Sequence, residues 1–388
     1  MTTVIVSSVI ATKYRNGGNA CAVLNWIQGL RKLGITTYYV EQIAPESCTD
    51  DHGARVPFEL SANVAYFKDV MCRAGLERHS ALVCGDGATT CGISYLELLD
   101  TAADTDLLLN ITGHLTLDAV MRRLRRKAYL DLDPGYTQFW HASGNPGARL
   151  SGHDFFFTIG ENIGTPQCRI PTGGIRWRPT RQPIVLPPLS ANRQPWSGRF
   201  TTVASWRGAY GPASYKSSTF GLKAHEFRKF VELPQRFDTS SFEIALDIHV
   251  GDQRDLDSLR DHGWRVVDPR RTVPDPRAFD EYIHGSDAEW SVAQGVYVDT
   301  CSGWFSDRTV RYLAAGKPAV VQDTGFTRTL RVGEGLIPFR TMEEAVAGVR
   351  AIERDPAAHS EASREIATTY FDSDRVLGRL LDDVGVAA

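Results

Sequence analysis

Residues 302–308 read SGWFSDR, and residues 312–325 read YLAAGKPAVVQDTG. The pattern predicts a loop, a helix, a tight turn at Gly316, a buried strand and a second polar loop. One polar loop opens the helix and the other closes the next strand, so both lie on the same edge of a parallel sheet. Open α/β folds bind their ligands at that edge.

This edge of the sheet suits an anionic ligand that also carries hydroxyl groups. Backbone N–H groups at the helix start, near Ser302, Gly303 and Ser306, can hold a phosphate, with Arg308 one turn further on. Asp323 and Thr324 can bind hydroxyl groups beside it. The segment therefore predicts a binding site for a sugar nucleotide.

The length and composition of the chain indicate two domains of ordinary size. A chain of 388 residues exceeds what one hydrophobic core usually supports. Hydrophobic residues make up 42%, charged residues 23%, and the net charge is -3, which is typical of a soluble globular protein. A general nucleic-acid binder would carry a strong basic excess, so nucleic acid is not the expected partner.

The cysteines and the apolar runs indicate the compartment. Seven scattered cysteines, an odd number, are typical of reduced core residues rather than of a disulfide framework. No apolar run approaches the length of a membrane span. The N-terminus lacks the features of a secretory signal, so we expect a cytoplasmic protein.

The first structural unit is a right-handed βαβ unit. Residues 4–9 form an apolar strand, and Asn16-Gly17-Gly18-Asn19 is a glycine loop that leads into a helix. Apolar residues recur in that helix at three- and four-residue steps until Gly34, and residues 35–40 form the second strand.

The same alternation continues to residue 183 and predicts a parallel sheet covered on both faces. The predicted strands are 81–84, 106–111, 128–133 and 155–159, and the predicted helices are 95–102 and 117–127. A proline-rich stretch between residues 171 and 199 then breaks the pattern, and we interpret residues 184–198 as an interdomain linker.

A second doubly wound domain is predicted over residues 199–370. Its strands are 201–206, 242–249, 264–267 and 289–292, followed by the segment quoted first, and its helices include 222–233, 256–262 and 277–284. A helical tail spans residues 342–384, interrupted near Pro356 and Asp372.

Taken together, these features resemble the GT-B glycosyltransferases over essentially the whole chain. The features are two similar α/β domains, a proline-rich hinge, a glycine loop after the first strand, and the Tyr312–Val321 element. The resemblance implies two Rossmann-like domains with an interdomain cleft and a C-terminal helix, 371–388, that crosses back to the first domain. It implies a nucleotide sugar bound to the second domain and an acceptor bound mainly to the first.

The activity implied is transfer of a hexose from a nucleoside diphosphate sugar to a small-molecule acceptor, as in natural-product biosynthesis. No cofactor and no metal are expected, and a homodimer is possible. Asp247, His249 and Asp252 match no standard zinc spacing. Two alternatives stay open: a nucleotide-sugar 2-epimerase of the same fold, and a noncatalytic module that binds nucleotide sugars.

The chain departs from the family pattern in one place. Retaining members usually carry two glutamates seven residues apart, and here those positions hold Gly303 and Arg311. Their contacts must come from other residues, with Asp299, Asp307 and Asp323 as candidates. The His-Gly-Gly run of many inverting members is also absent, so the stereochemical outcome stays open.

Cations at the strand ends are the predicted diphosphate ligands, because a departing diphosphate needs positive charge around it. They are Arg207, Lys223 and Arg308. By resemblance, backbone groups near Val267 read the nucleobase, although Asp268-Pro269 could simply end the strand. Gly17 and Gly18 are assigned to the donor site as a loop that lets the backbone approach a ligand, the alternative being a well-capped turn.

Four side chains in the N-terminal half are candidates for catalysis. His114 follows a buried strand that ends in a glycine turn, and Asp131 and Asp133 end the next strand on the same side. Carboxylates on a strand that approaches a cleft are costly unless they are used or paired. His141 is a further candidate as an acceptor wall, although a lone histidine is more often structural, and Asp133 could instead cap the following helix.

Overall fold

Two sheets with predominantly parallel strands, each with helices on both faces, make up the computed structural model of the chain, which describes residues 2–87, 89–186 and 195–387. The predicted α/β class with two Rossmann-like domains and a helical tail is confirmed. The two sheets have eight and six strands, and each has one point at which the strand order reverses.

The N-terminal sheet has the strand order β4-β3-β2-β1-β5-β6-β7-β8. All neighbours pair in parallel except β3 and β4. Its chain order reverses between β1 and β5, which pair side by side. The strands are β1 Thr3–Ser7, β2 Thr36–Ile43, β3 Ser80–Cys84, β4 Thr89–Gly92, β5 Leu107–Ile111, β6 Lys127–Asp131, β7 Phe155–Thr158 and β8 Trp177–Pro179.

Alternation along the strands fills the cores on the two faces of this sheet. Val4 and Val6 of β1 belong to one cluster, which includes Trp26 from the first helix. Ile5, between them, points to the opposite face and packs with Leu98. The helices are α1 Gly17–Lys32, α2 Ala62–Arg73, α3 Tyr95–Asp104, α4 Asp118–Met121 and α5 Tyr136–Ala142.

The C-terminal sheet is parallel throughout, in the order β13-β12-β9-β14-β15-β16. Its chain order reverses between β9 and β14. The strands are β9 Arg199–Ser205, β12 Ser241–Asp247, β13 Arg265–Val267, β14 Ala288–Ser291, β15 Ala319–Gln322 and β16 Leu336–Phe339, with a separate antiparallel hairpin of β10 Ala213–Tyr215 and β11 Ser218–Phe220.

Nine α-helices in the described residues complete this half of the chain. An aromatic core that includes Phe227, Trp264 and Trp290 fills one face of the sheet. The helices are α6 Lys223–Arg228, α7 Gln253–Asp261, α8 Pro269–Thr272, α9 Pro276–His284, α10 Gly295–Asp299, α11 Asp307–Ala314, α12 Met342–Arg354, α13 Pro356–Phe371 and α14 Ser373–Val384.

The chain passes between the two domains at two places, and these meet. Ile184 N–H donates to Phe371 O at 2.8 Å, and Ser373 N–H donates to Ile184 O at 3.0 Å. After this point α14 packs on α1, where Leu377, Leu380 and Leu381 join the N-terminal core cluster. Of the predicted linker 184–198, residues 187–194 lie outside the described residues.

The predicted helix over residues 117–127 is wrong in extent. Only Asp118–Met121 are helical, and Lys127 already begins β6. Five of the six residues from Arg122 to Lys127 are basic. Like charges one turn apart disfavour a continued helix, so this segment does not extend α4. Among the described helices, none is both long and apolar enough to cross a membrane.

Candidate functional site

The carboxyl edges of the two sheets face each other across a cleft with a volume of about 580 Å³. Its walls come from the loop after β1, the ends of β9 and β12, the start of α6, the segment around α8 and the start of α11. The points where strand order reverses in the two sheets therefore lie on opposite walls, which is the position in which open α/β sheets bind ligands. The residues that line the cleft include Lys13, Gly18, Lys223, Trp304, Ser306, Asp307 and Arg308.

Arg308 lies in the first turn of α11 and is held by the C-terminal sheet. Its Nε donates to Glu289 Oε1 at 2.5 Å, its Nη1 to Val203 O at 2.7 Å, and its Nη2 to Ser291 Oγ at 2.9 Å. The guanidinium thus has partners on β9 and β14, on both sides of the reversal point. It lines the cleft with its charge fixed in place, and direct contact with a phosphate stays a prediction.

Lys223, unlike Arg207 and Arg308, has no anionic partner among the described residues. It is half-buried at the start of α6, and no described carboxylate lies within ion-pair distance of its ammonium group. Burial, followed by the nearby charge of Arg308, lowers the pKa of Lys223 to about 7. Its backbone N–H is held by Gln294 Oε1 at 2.6 Å, which fixes the helix start.

Asp307 adds a carboxylate to the same wall. Burial raises its pKa, and hydrogen bonds from the backbone N–H groups of Asp307 and Arg308 oppose the rise. The side chain therefore shares the N-terminus of α11 with any ligand that binds there. This is one of the carboxylates considered above as a replacement for the missing glutamates.

The position where the second glutamate was expected has a structural role. Arg311 forms an ion pair of 2.6 Å with Asp280 on α9, and it also contacts Cys21 O of α1 at 3.5 Å. Gly303, at the first position, has a positive φ of 75°, and a Cβ there would lie 2.9 Å from Asn162. Both positions thus contribute to contacts between the domains.

A second cavity of about 750 Å³ adjoins the cleft at the ends of β9, β12 and β13. It shares Asp247 and Arg270 with the cleft, so the two form one continuous groove along the sheet edge. Val267 and Arg207, both predicted donor residues, line it. Arg207 Nε donates to Asp252 at 2.7 Å, so this cation, unlike Lys223, is already paired.

The loops around Ser302 and Thr324 meet the N-terminal domain rather than open solvent. Asn162, in the loop after β7, donates its side-chain amide to Cys301 O at 3.0 Å and to Gly325 O at 3.1 Å. Its backbone N–H donates to Ser302 O at 3.1 Å. Thr324 Oγ1 donates to Trp304 O at 2.5 Å. These loops are thereby fixed as an interdomain contact.

Asp323 is used within the C-terminal domain. Its carboxylate accepts a hydrogen bond of 2.7 Å from Gly325 N–H and one of 2.7 Å from Arg340 Nη2. The side chain is buried. A role in binding sugar hydroxyls, which the sequence predicted for Asp323, does not fit a carboxylate enclosed in this way.

Gly17 and Gly18 pack against the opposite domain. Gly17 N–H donates to Val273 O at 3.1 Å, and a Cβ on Gly17 would lie 2.1 Å from Asp275 O. A Cβ on Gly18 would lie 3.0 Å from Phe279. The glycine pair therefore allows α1 to approach the α8–α9 segment, and Gly18 also lines the cleft.

A buried carboxylate shapes the loop that carries Lys13. Glu41 of β2 accepts hydrogen bonds of 2.8 Å from the backbone N–H groups of Ile10, Ala11 and Thr12. Tyr39 donates its hydroxyl to the same carboxylate at 2.8 Å. This arrangement turns the chain after β1 and presents Lys13 at the cleft.

Asp131 is enclosed at the end of β6 and stabilises the start of α5. Its carboxylate accepts from Thr137 Oγ1 and Thr158 Oγ1, each at 2.7 Å, and from Gln138 Nε2 at 2.8 Å. Burial raises its pKa to about 6. With no exposed surface, Asp131 cannot meet a substrate, so the predicted catalytic role is replaced by a structural one.

Asp133, unlike Asp131, is linked to the cleft through Tyr297 and Trp304. Tyr297 Oη of α10 donates to Asp133 Oδ1 at 3.0 Å, and Tyr297 stacks on Trp304 with ring centroids 4.5 Å apart. Burial raises the pKa of Asp133, while the charge of Lys13 and the Tyr297 hydrogen bond oppose the rise. A carboxylate with a raised pKa is suited to accept a proton near neutral pH.

His114 lies at the same edge, next to two cations. Arg149 Nη1 lies 3.2 Å from His114 Nδ1. Burial, together with the charges of Arg149 and Lys13, lowers the pKa of His114 to about 3. The imidazole is therefore neutral at physiological pH and accepts a hydrogen bond from the guanidinium through Nδ1.

His141 is separate from this group. His141 lies at the end of α5, and its Nε2 is 3.2 Å from Gly173 O. It lines none of the cavities described here, although its neighbour Trp140 does. Its predicted role as an acceptor wall stays a prediction.

Sequence analysis missed Lys13, Arg149, Tyr297 and Asn162. Lys13 had a usable signal, because it precedes the glycine pair in the loop after the first strand. The sequence contains no comparable signal for Arg149, Tyr297 and Asn162, because their positions depend on contacts between segments far apart in the chain. No group of acidic, histidine and cysteine side chains suited to a metal ion occurs among the described residues.

Comparisons with known proteins find similarity in structure alone. No family model matches the chain, and no curated protein matches it in sequence. An alpha-glucosyltransferase solved with UDP superposes with a TM-score of 0.60 at 12% identity, over 99% of this chain and 100% of its own. The Anabaena protein HepE, solved with UDP and glucose, gives 0.61 at 11% identity over 99% and 100%.

A further similar structure is an alpha-glucosyltransferase with UDP and a 13-mer DNA, with a TM-score of 0.58 at 12% identity over 99% of this chain and 100% of its own. At such identities the similarity establishes a shared fold. The shared fold is the two-domain GT-B fold that the sequence resembles.

Proposed function

We propose that the protein is a glycosyltransferase that transfers a hexose from a nucleoside diphosphate sugar to a small-molecule acceptor. The observation that carries this proposal is Lys223, a half-buried cation without an anionic partner among the described residues, at the edge where the C-terminal strand order reverses. A lysine that is desolvated beside Arg308 requires an anion to hold its charge. A diphosphate supplies one.

The surroundings of Lys223 suit that ligand in size and charge. Arg308 adds a second positive charge that Glu289 holds in place, and the backbone N–H groups at the start of α11 face the same space. The adjoining groove to Val267 has room for a nucleoside. The solved structures of the same fold that contain UDP or UDP and glucose favour a uridine nucleotide as the first donor to test.

The reaction joins an acceptor hydroxyl oxygen to the anomeric carbon of the donor sugar and breaks the bond from that carbon to the β-phosphate oxygen. Lys223 and Arg308 stabilise the negative charge that develops on the departing diphosphate. Asp133, with its raised pKa, accepts the proton of the acceptor hydroxyl. Tyr297 orients that carboxylate through its hydrogen bond of 3.0 Å.

Binding of the donor is tested by thermal unfolding with UDP-glucose and with the corresponding diphosphates of thymidine, guanosine and adenosine. A ligand that binds only the folded state raises the melting temperature. We expect a rise with UDP-glucose for the wild type and for Lys68→Ala, a control on the exposed side of α2, and a much smaller rise for Lys223→Ala. No rise with any nucleotide would refute the proposal.

Turnover separates transfer from the two alternative functions. Candidate hydroxylated acceptors are incubated with UDP-glucose, and the products are identified by mass. A glycosylated acceptor supports transfer, whereas a donor epimer formed without acceptor indicates an epimerase. Tight donor binding without product formation or donor hydrolysis indicates a noncatalytic module.

A further inference from the structure

Backbone strain recurs in the loops at the carboxyl edge of the N-terminal sheet. Five non-glycine residues in the described chain have a positive φ, and three of them lie in N-terminal loops at the carboxyl edge of the sheet: Arg15, Thr112 and Arg149, with φ values of 59°, 52° and 50°. Such conformations cost on the order of 1–3 kcal/mol each and persist where the surroundings enforce them, often at functional sites.

The strained backbone at Arg149 places its guanidinium over His114. Gly113 permits this approach, since a Cβ there would lie 2.8 Å from the Arg149 Cβ. The guanidinium then lies 3.2 Å from the His114 imidazole, which is neutral and cannot balance a positive charge. The loop thus holds an arginine beside a neutral partner at an energetic cost.

The positive charge at this edge is not neutralised. No carboxylate among residues 2–87, 89–186 and 195–387 lies within ion-pair distance of Arg149 or Lys13. Asp133, which interacts electrostatically with Lys13, is hydrogen-bonded to Tyr297. The two cations are therefore available to an anion that enters from the cleft.

Aromatic side chains line a third cavity, with a volume of about 390 Å³, between α5 and the loop before β10. The rings of Tyr136 and Tyr210 lie 5.1 Å apart, and Trp140 meets Tyr210 edge-on at 4.8 Å. Burial and the charge of Asp133 raise the pKa of Tyr210 to about 12, and the charge of Arg149 opposes the rise. The turn that carries Arg149 packs on this pocket, since a Cβ on Gly147 would lie 3.6 Å from the Trp140 ring, so the arginine and the pocket can act on one ligand.

We infer that the acceptor is a small ring compound that carries an anionic group, with its ring against Tyr136, Trp140 and Tyr210 and its anionic group held by Arg149 and Lys13. This inference rests on the proposed function and specifies the acceptor class. The hydroxyl of such a compound would face Asp133, which interacts electrostatically with Tyr136 and Tyr210.

The test compares two acceptors of nearly the same shape, the anionic 4-hydroxybenzoate and the neutral 4-hydroxybenzamide, with UDP-glucose as donor. The wild type should use the carboxylate with a kcat/KM at least about tenfold higher, mainly through a lower KM. Arg149→Gln should lose about tenfold for the carboxylate and change little for the amide, and Lys13→Gln should act in the same direction. Arg125→Gln, at the opposite edge of the sheet, should retain the preference.

Equal use of both acceptors, or an Arg149→Gln variant that keeps the preference, would overturn the inference. If neither compound is glycosylated, saturation-transfer NMR with UDP present decides, and absence of binding by 4-hydroxybenzoate refutes it. Glycosylation of a 13-mer duplex DNA instead of either compound would also refute it. UDP-glucose should raise the melting temperature of every variant, which shows that the donor site is intact. A failed acceptor inference is then distinguished from a failed proposed function, because donor binding is measured separately from acceptor use.

Discussion

Tyr297 donates its phenolic hydroxyl to Asp133 Oδ1 across 3.0 Å, and this bond joins the C-terminal domain to the candidate base of the N-terminal domain. A donor to the ionised carboxylate stabilises the charged form, and it does so only while the cleft is closed at this point. The protonation of Asp133 is thereby coupled to the arrangement of the two domains.

Removal of this hydroxyl should impair proton transfer more than donor binding. Tyr297→Phe should lower kcat about tenfold, as expected for the loss of one hydrogen bond to a charged group. Because the lost donor holds the pKa of Asp133 down, the acidic limb of the kcat profile should move to higher pH. Tyr66→Phe is the control, since Tyr66 Oη is buried without a hydrogen-bond partner. An unmoved acidic limb in Tyr297→Phe would exclude Asp133 as the base.

Donor affinity should fall as the pH rises through the pKa of Lys223, which lies at about 7. The diphosphate binds the ammonium form, and that form predominates below the pKa and is lost above it. Between pH 6 and pH 8 the dissociation constant of UDP-glucose should therefore rise about tenfold. UDP-glucose is preferred to UDP because its esterified diphosphate does not titrate in this range.

Calorimetric titration at several pH values measures this dependence. In Lys223→Arg the cation stays charged throughout, so the affinity should become nearly independent of pH over this interval. A pH dependence that survives in Lys223→Arg would assign the titration to another group.

Substitution of Gly17 should destabilise the contact between the domains. A Cβ at this position would lie 2.1 Å from the backbone oxygen of Asp275, so either α1 or the segment before α9 must move. Overpacking of this kind costs about 1–3 kcal/mol. Gly17→Ala should thus lower the melting temperature by several degrees.

Gly378→Ala is the matched control for this change. Gly378 lies within α14 with open space around its Cβ position, where alanine favours the helix. Its melting temperature should stay constant or rise. Equal behaviour of the two variants would show that the Gly17 contact is unimportant for stability.

The buried ion pair beneath the cleft should be sensitive to loss of its acid. Glu289→Gln leaves Arg308 charged and enclosed without a counterion, which costs about 3–5 kcal/mol for pairs of this type. Removal of the Glu289 charge should also lower the pKa of Lys223 further, because that charge raises it. Chemical denaturation measures the first effect, and the pH midpoint of UDP-glucose binding measures the second.

Glu365→Gln provides the comparison for Glu289→Gln. Glu365 pairs with Arg331 at 2.7 Å on the surface, with both side chains more than half exposed. Such a pair contributes less than about 1 kcal/mol. Comparable losses in the two variants would contradict the special position assigned to the Glu289–Arg308 pair.

The regular parts of the fold were predictable because their signals are local. The β1-α1-β2 unit was predicted within a few residues, since hydrophobic periodicity and Gly34 mark its elements. Five of the described strands were missed, namely β4, β8, β10, β11 and β16. Two of them, β8 and β16, share a physical reason. β8 contains Pro179 and β16 contains Pro338, and proline, which lacks a donor, is tolerated in strands at the edge of a sheet, where both lie.

The site was predictable in position but not in its pairings. Strand ends located Lys223 and Arg308 at the cleft, as the topology of parallel sheets requires, and Asp133 is linked to it through Tyr297 and Trp304. The sequence could not show that Glu289 forms an ion pair with Arg308, or that Lys223 has no anionic partner among the described residues. These pairings depend on the register of strands that are distant in the chain. The enclosure of Asp131 by Thr137, Gln138 and Thr158 was hidden for the same reason.

The backbone pairing of Ile184 with Phe371 and Ser373 makes the two interdomain connections a single pivot. This bridge lies at the junction of α13 and α14, so the outgoing and the returning segment are held side by side. A hinge rotation about an axis through this point is the domain movement that such a connection favours. We expect a movement of this kind to displace the cleft contacts in proportion to their distance from Ile184.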